Sequence, residues 1–471
     1  MTGTATSGAL LALPVGIPWV FAAVLALLDG RKWWVGLLSA VGLGVGFFFL
    51  ILLAIGVLQE GSVEMTAGGW PEGIGITLRA DALGVTFALV SVGVVLVSLL
   101  FELSLGVRWR TFPALVLLVA AGLVGLFLTA DAFNFYVFFE ISMTASFVLA
   151  SYREQDYQVR AAFIFAIVNL LGSVVFLVGI AALYSITGSL DMQTITERTD
   201  LLEPRSVIAI AAVIFAAFFL KLGLFPFHFW LPAVYVGSHA PVAAILSGAL
   251  ANIGAYGLLR FGAGILPREL EIGSAAVMAI GAASIIYGSL QAISRRDTSE
   301  VLAYSAIGQA GYIILALGVG GPVGYAAAVL YAVINSLNKA VLFLAAGLRG
   351  PLVGAAFAVG AFSVAGVPPA AGYLGKLAVF RTGAALQSPT ASIALVTLVF
   401  LGSALSFLYS FQVYQRRFLA PKEGEIGKPS PKAARLLVGA VAVLVLLAGL
   451  WPEPLLLLSE RAATVLQSGG S

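Results

Sequence analysis

The sequence predicts an all-α polytopic membrane protein with about fourteen transmembrane helices. Three observations carry this. Of 471 residues, 61% are hydrophobic and only 10% are charged, whereas soluble domains run about 25% charged. Apolar runs of bilayer-spanning length recur from end to end. Basic residues gather in every second connection, as the Lys/Arg rule for short loops requires. The connections are too short to hold a soluble domain. Cysteine is absent, so disulfides, thiolate metal sites and iron–sulfur clusters are excluded. Two histidines make a poor metal site, and neither a dinucleotide fingerprint nor a Walker lysine motif occurs. The expected surroundings are the lipid bilayer, with no nucleic acid and no bound cofactor.

In chain order the spans fall near 8–28, 34–58, 82–105, 112–130, 132–151, 160–186, 205–225, 240–262, 272–293, 302–319, 323–346, 352–380, 391–414 and 434–451. The opening MTGTATSG lacks a basic n-region, so the first run is expected to remain as a helix. One side receives Arg31, Lys32, Arg108, Arg110, Arg153, Arg160, Arg295, Arg296, Arg349, Arg416, Arg417, Lys422, Lys428, Lys432 and Arg435. The other side carries Glu60, Glu64, Glu72, Asp191, Glu197 and Glu203. Every basic loop follows an odd-numbered span. This predicts a multi-pass cell-membrane protein with both termini on the outer side.

Four charges do not fit at a membrane surface: Glu140 in span 5, Lys221 in span 7, Lys339 in span 11 and Lys376 in span 12. A lysine at a helix centre costs about 2.5–3.5 kcal/mol on insertion scales, so such residues tend to mark ion paths. Structural ion pairing is the alternative for each, and packing within the bundle is the stronger alternative for Lys339. Span 7 is interrupted by Pro226 and Pro232, span 12 by Pro368 and Pro369. Proline removes a backbone donor and breaks the helical ladder. Broken backbone survives at membrane depth only inside protein or beside a watery cavity. The two broken spans lie five apart, and an odd offset inverts one unit relative to the other. Paired broken helices in inverted repeats point to a transporter's ion site.

A carboxylate and an ammonium in contact stabilise each other's charge, and separating them favours proton release. Opening and closing a Glu140–Lys221 pair would therefore make Lys221 release and hold a proton, with Lys376 taking it onward. Ser142, Thr144, Ser247, Asn252, Ser305, Gln309, Asn335, Ser336 and Asn338 are candidates to bridge the gaps or to join helices. His228 is a candidate relay by its ordinary titration range, or a structural histidine at the helix break. His239 reads as structural, Asp81 and Asp131 as helix caps, and the charged loop Arg295–Glu300 as a topology anchor. By sequence, Asp81, Asp131 and Glu140 are the acidic candidates near membrane depth.

KLGLFPFHFWLPAVYVGSHAP (221–241), DAFNFYVFFEISM (131–143), RRDTSEVLAYSAIGQAGY (295–312), NKAVLFLAAG (338–347) and SVAGVPPAAGYLGK (363–376) resemble the antiporter-like subunits shared by Mrp-type cation/proton antiporters, respiratory complex I and membrane-bound hydrogenases. The resemblance covers nearly the whole chain, with the motifs in order. GGWPEGIGITLRADAL (68–83) is most similar to the D-type subunits of the Mrp antiporters, and no C-terminal extension of the longer subunit types is seen. The resemblance implies spans 4–8 and 9–13 as inverted five-helix repeats. These divide the chain into 1–106, 107–262, 263–418 and 419–471. It further implies a mid-membrane line of polar residues in which Glu140, Lys221 and Lys376 match the motif glutamate and lysines. The expected partners are other membrane subunits, with protons and Na+ as the transported ions. The chain itself is expected to be a transporter subunit, not an enzyme.

Three departures stand out. The family's span 8 lysine is replaced by Asn252, no histidine precedes Lys339 in INSLNK, and the loop between spans 11 and 12 is short. Lys339 then inherits the central role. Two other readings compete with the antiporter subunit: a membrane-arm subunit of a quinone oxidoreductase or hydrogenase, and a non-conducting scaffold.

Overall fold

The computed structural model describes residues 2–66, 68, 75–152, 155–419 and 430–467, with side chains from residue 10 onward. Arg153, Lys422 and Lys428 of the predicted basic loops, Glu72, and residues 69–74 of the 68–83 motif lie outside the described residues.

The chain folds into helices α1 (Thr2–Ala26), α2 (Trp33–Glu60), α3 (Ala82–Leu105), α4 (Phe112–Phe127), α5 (Ala132–Ala150), α6 (Asp156–Thr187), the short α7 (Met192–Thr199), α8 (Pro204–Leu222) and α9 (Leu231–Gly237). Then follow α10 (Ala240–Ile265), α11 (Pro267–Ile272), α12 (Ser274–Ser294), α13 (Thr298–Val319), α14 (Gly321–Ala346), α15 (Pro351–Ala365), α16 (Gly372–Thr382), α17 (Pro389–Leu419), α18 (Lys432–Leu450) and α19 (Glu453–Gln467). One antiparallel hairpin, β1 (Val63–Thr66) with β2 (Thr77–Ala80), joins α2 to α3 in the register Val63 opposite Ala80.

Among the described residues, eleven helices are long and apolar enough to cross a membrane. Three shorter apolar helices, Leu10–Ala26, Phe112–Phe127 and Pro351–Ala365, fall where spans 1, 4 and 12 are expected. Burial divides the bundle. The apolar windows of α10 and α13 are 94% buried and that of α14 is 89% buried, against 22% for α17 and 28% for α18. The first three are central helices, and the last two turn large apolar side chains such as Phe400 and Leu447 outward, as a lipid-facing surface does. The sequence reading contains no helix over 453–467; there α19 packs against α3 and α14. Its amphipathic pattern hides it from a search for continuous apolar runs.

Both predicted breaks are present, and both use the same stop. α8 ends at Gly223 (φ 69°) and α15 at Gly366 (φ 82°), left-handed positions that favour glycine. Leu224 N donates to Phe219 O at 3.1 Å and Val367 N donates to Phe362 O at 2.9 Å. These are the six-to-one bonds of a Schellman ending, which satisfy carbonyls left open where the helix stops. The connections also sort to two ends. One end joins Gly30 N to Arg110 O and Arg416 to Arg295 O. The other joins Ala132 N to Leu190 O and Met192 N to Ala130 O.

Candidate functional site: three buried lysines

Lys221, Lys339 and Lys376 are buried, at 6%, 0% and 3% exposure. Lys221 sits in the last turn of α8. Its Nζ donates to Asn169 Oδ1 on α6 at 2.9 Å and lies 4.1 Å from the centre of the Phe139 ring. The open carbonyls of a helix C-terminus and the face of an aromatic ring both favour a cation. Glu140 follows Phe139 on α5. It interacts with Lys221 through space, but no ion pair within 4.0 Å joins them, and Glu140 Oε1 is buried without a hydrogen bond. The structure therefore shows the carboxylate and the ammonium apart. Asn169 holds the lysine instead. A single asparagine in the apolar run AIVNLLG (166–172) is the sequence signal for this partner.

Lys376 lies on the far side of its break, in α16. Its Nζ donates to Ala365 O at 3.4 Å, the last residue of α15, and stands 4.9 Å from the Tyr312 ring centre. Both broken helices thus present their carbonyl end to a lysine, Lys221 from within the same half-helix and Lys376 from the following one. Close packing fixes the second break. A Cβ on Gly372 would lie 1.6 Å from Ser363 O, and Gly372 N donates to Ser363 Oγ at 2.9 Å.

Asn252 occupies the centre of α10, flanked by two stretches of π-helix, Leu246–Leu250 and Leu258–Ile265. Such bulges are frequent at functional sites. Asn252 Nδ2 donates to Ser91 Oγ on α3 (2.9 Å), Ser336 Oγ on α14 (2.9 Å) and Gly248 O (3.2 Å). Ser336 Oγ donates back to Asn252 Oδ1 at 3.1 Å. Three helices are tied by a neutral side chain. Lys339, on α14, donates to Ser305 Oγ at 3.1 Å and to Leu302 O at 3.5 Å.

His228 does not join these lysines by any direct bond. It stacks near Phe225 (5.5 Å between ring centres) and Tyr287 (4.3 Å) inside the first break. Trp230 Nε1 donates to Leu220 O at 3.0 Å and Phe225 N to Ser284 Oγ at 3.0 Å, which fix the broken segment. Asp81 and Asp131 cap α3 and α5 through Gly84 N and Asn134 N. Asp81 also receives Arg260 Nη2 on both carboxylate oxygens, at 2.8 and 2.7 Å. Sequence inspection also misses Glu102, which corrects the inventory of acidic groups. It is fully buried, accepts from Tyr152 OH at 2.5 Å and lies 3.4 Å from His239 Nδ1. It lies close to the end of α3 and has no place in the sequence reading.

Two cavities flank the first half. One, of about 710 Å³, is open to solvent on the end that carries Arg108, Tyr152, His239, Ser299 and Gly347. The other is about 10 Å³, near the smallest space that holds one water. Lys221, Asn169, Met143 and Trp230 line it. Tyr235 lines both and is the partition between them; its hydroxyl donates to Leu246 O at 3.3 Å.

A bundle with two broken helices, buried lysines at the breaks and a polar centre defines an ion-translocating membrane subunit of the antiporter type. The chain belongs to the NADH:quinone oxidoreductase/Mrp antiporter transmembrane family, whose model matches residues 129–402. It is 30% identical to the D-type subunit of a Na(+)/H(+) antiporter from Alkalihalophilus pseudofirmus, over 96% of each chain. Among solved structures it is similar to a chain of the Mrp complex from Dietzia sp. DQ12-45-1b, with a TM-score of 0.89 and 26% identity over 98% of both chains. A chain of respiratory complex I from Thermus thermophilus shares the fold, with a TM-score of 0.84 and 24% identity over 98% of this chain and 100% of that one.

Proposed function

We propose that the chain is an antiporter-like subunit of a multisubunit Na+/H+ antiporter, and that it moves protons along a buried line through Glu140, Lys221, Lys339 and Lys376. It works with other membrane subunits in the cell membrane, with fourteen spans, both termini on the outer side, and spans 4–8 and 9–13 as inverted five-helix repeats. The observation that carries the reading is the paired placement of Lys221 and Lys376, each at the carbonyl end of a broken helix. A cation there is stabilised by the helix dipole, with neutral acceptors in reach, so its charge changes without rearranging the fold. The separation of Glu140 from Lys221 is consistent with the open arrangement of such a switch. Closure of that pair holds the proton on Lys221, and opening releases it. His228 lies beside the break as a side group of the path, lining it without a direct bond.

The test is proton/sodium exchange in everted vesicles that contain the whole complex. Glu140→Gln and Lys221→Met are each expected to lower exchange by about tenfold or more, with assembly intact. Wild-type exchange in both assembled variants would remove this subunit from the ion path and leave a scaffold.

A further inference from the structure

The second half holds a run of buried hydroxyl groups that starts at Lys339 and leads towards the ring beneath Lys376. Lys339 Nζ donates to Ser305 Oγ at 3.1 Å, and Ser305 Oγ shares a hydrogen bond of 2.9 Å with Tyr409 OH on α17. Tyr409 OH donates to Ser406 Oγ at 3.3 Å, one turn earlier on the same helix. Ser406 Oγ rests on Gly402 O at 2.7 Å. Gly402 is also where the Tyr312 hydroxyl abuts α17: a Cβ there would lie 2.2 Å from that oxygen. The Tyr312 ring in turn carries Lys376 Nζ at 4.9 Å from its centre. Ser305, Ser406, Tyr312 and Tyr409 are all buried. A buried hydroxyl is costly unless it is bonded; Ser305, Tyr409 and Ser406 are joined to one another, whereas the Tyr312 hydroxyl has no hydrogen-bond partner among the described residues and is open to receive one.

We propose that Ser305, Tyr409, Ser406 and Tyr312 form a hydroxyl relay between Lys339 and Lys376. This rests on the reading that both lysines lie on the proton path. In one passage an N–H bond of the Lys339 ammonium breaks as Ser305 Oγ gains that proton. Ser305 hands its own proton to Tyr409, Tyr409 to Ser406, and Ser406, after turning off the Gly402 carbonyl, to Tyr312. Tyr312 gives its proton to the neutral amine of Lys376 once that amine swings from the ring face to the hydroxyl. Each oxygen ends with one hydrogen, one proton has moved, and nothing is oxidised or reduced. Rotation of the hydroxyls resets the line. Gln309 is a positioning residue, because an amide passes no proton without changing its tautomer. Its Nε2 holds Tyr409 OH and Ser406 Oγ, each at 3.2 Å, and its Oε1 accepts from Tyr331 OH at 2.6 Å.

The experiment measures exchange by the whole complex in vesicles for Tyr409→Phe, Ser406→Ala, Ser406→Thr, Ser410→Ala and Lys339→Met. Removal of a relay hydroxyl is expected to lower exchange by about tenfold or more. Ser406→Thr restores it, which a packing role for the hydroxyl would not predict, and Ser410→Ala leaves it at the wild-type rate. If Tyr409→Phe does not assemble, the Ser406 pair decides. Loss of exchange in Lys339→Met, with wild-type rates in Tyr409→Phe and Ser406→Ala, overturns the relay and leaves the path through Lys339 standing. A wild-type rate in Lys339→Met overturns both.

Discussion

The two halves of the bundle stop their broken helices in the same way and balance their lysines differently. In the first half Lys221 has an amide acceptor, a ring face and a carboxylate within electrostatic reach. In the second half Lys339 and Lys376 have hydroxyls, carbonyls and a ring face. No carboxylate pairs with either of them among the described residues. The first half therefore has a partner able to hold a charge by contact. The second has only neutral groups that let a proton pass. The same backbone device serves two chemistries because the partners come from other helices, α5 and α6 in one case and α13 and α15 in the other.

The largest expected effect tests whether carboxylates matter structurally in the first half alone. Asp81→Ala removes the partner of buried Arg260, whose guanidinium also donates through Nε to Tyr256 OH at 3.1 Å. An orphaned buried charge costs about 3–5 kcal/mol. Failure of the complex to assemble, or a sharply lowered Tm, is the expected outcome; an unchanged Tm would show that Arg260 finds water or another partner.

A smaller effect concerns Tyr235. The chain has no cysteine, so one introduced thiol is a clean reporter. Met143→Cys lines the small cavity beside Lys221 and is expected to resist a small, membrane-impermeant thiol reagent. Adding Tyr235→Ala joins that cavity to the large one, and labelling is expected to rise by about tenfold, because the thiolate must be accessible to react. Equally low labelling with and without Tyr235 would show that Tyr235 is not the barrier, and equally high labelling that the small cavity is already open.

The smallest effect provides a baseline outside both halves. Asp29 is held at a pKa of about 2 by its hydrogen bond to Arg31, below the ordinary 3.8. A lowered carboxylate pKa contributes stability above the ordinary value and loses it as pH falls through the lowered one. Asp29→Asn is expected to leave the pH dependence of Tm unchanged between about pH 5 and pH 8, with any difference confined to more acid conditions. A change near neutrality would mean that surface pairs, and not the buried line, set the pH response.

Much of the helical framework was legible in the sequence, because apolar runs and interrupting prolines are local signals. Lys221, Lys339 and Lys376 stood out for the same reason: a charge in an apolar run is costly wherever it points. Their partners were not legible. Asn169, Tyr409 and Ser406 gain meaning only when α6 and α17 dock, and a tyrosine in an apolar helix looks like any core aromatic. Glu102 was hidden because nothing in the sequence near the end of α3 marks its carboxylate as buried. α19 was hidden because only one of its faces is apolar.

Asn252 has a consequence of a different kind. Its amide is clamped by Ser91 and Ser336 and carries no charge. An amide passes no proton without changing its tautomer, so a proton crossing here has to pass beside Asn252, whereas a field passes through it. Charges inside a protein interact through an effective dielectric of about 20, well below that of water. A proton arriving at Lys221 is then felt at Lys339 before anything crosses between them. On that view the clamp works as a narrow gap in a line: charge on one side biases the other before a proton makes the crossing.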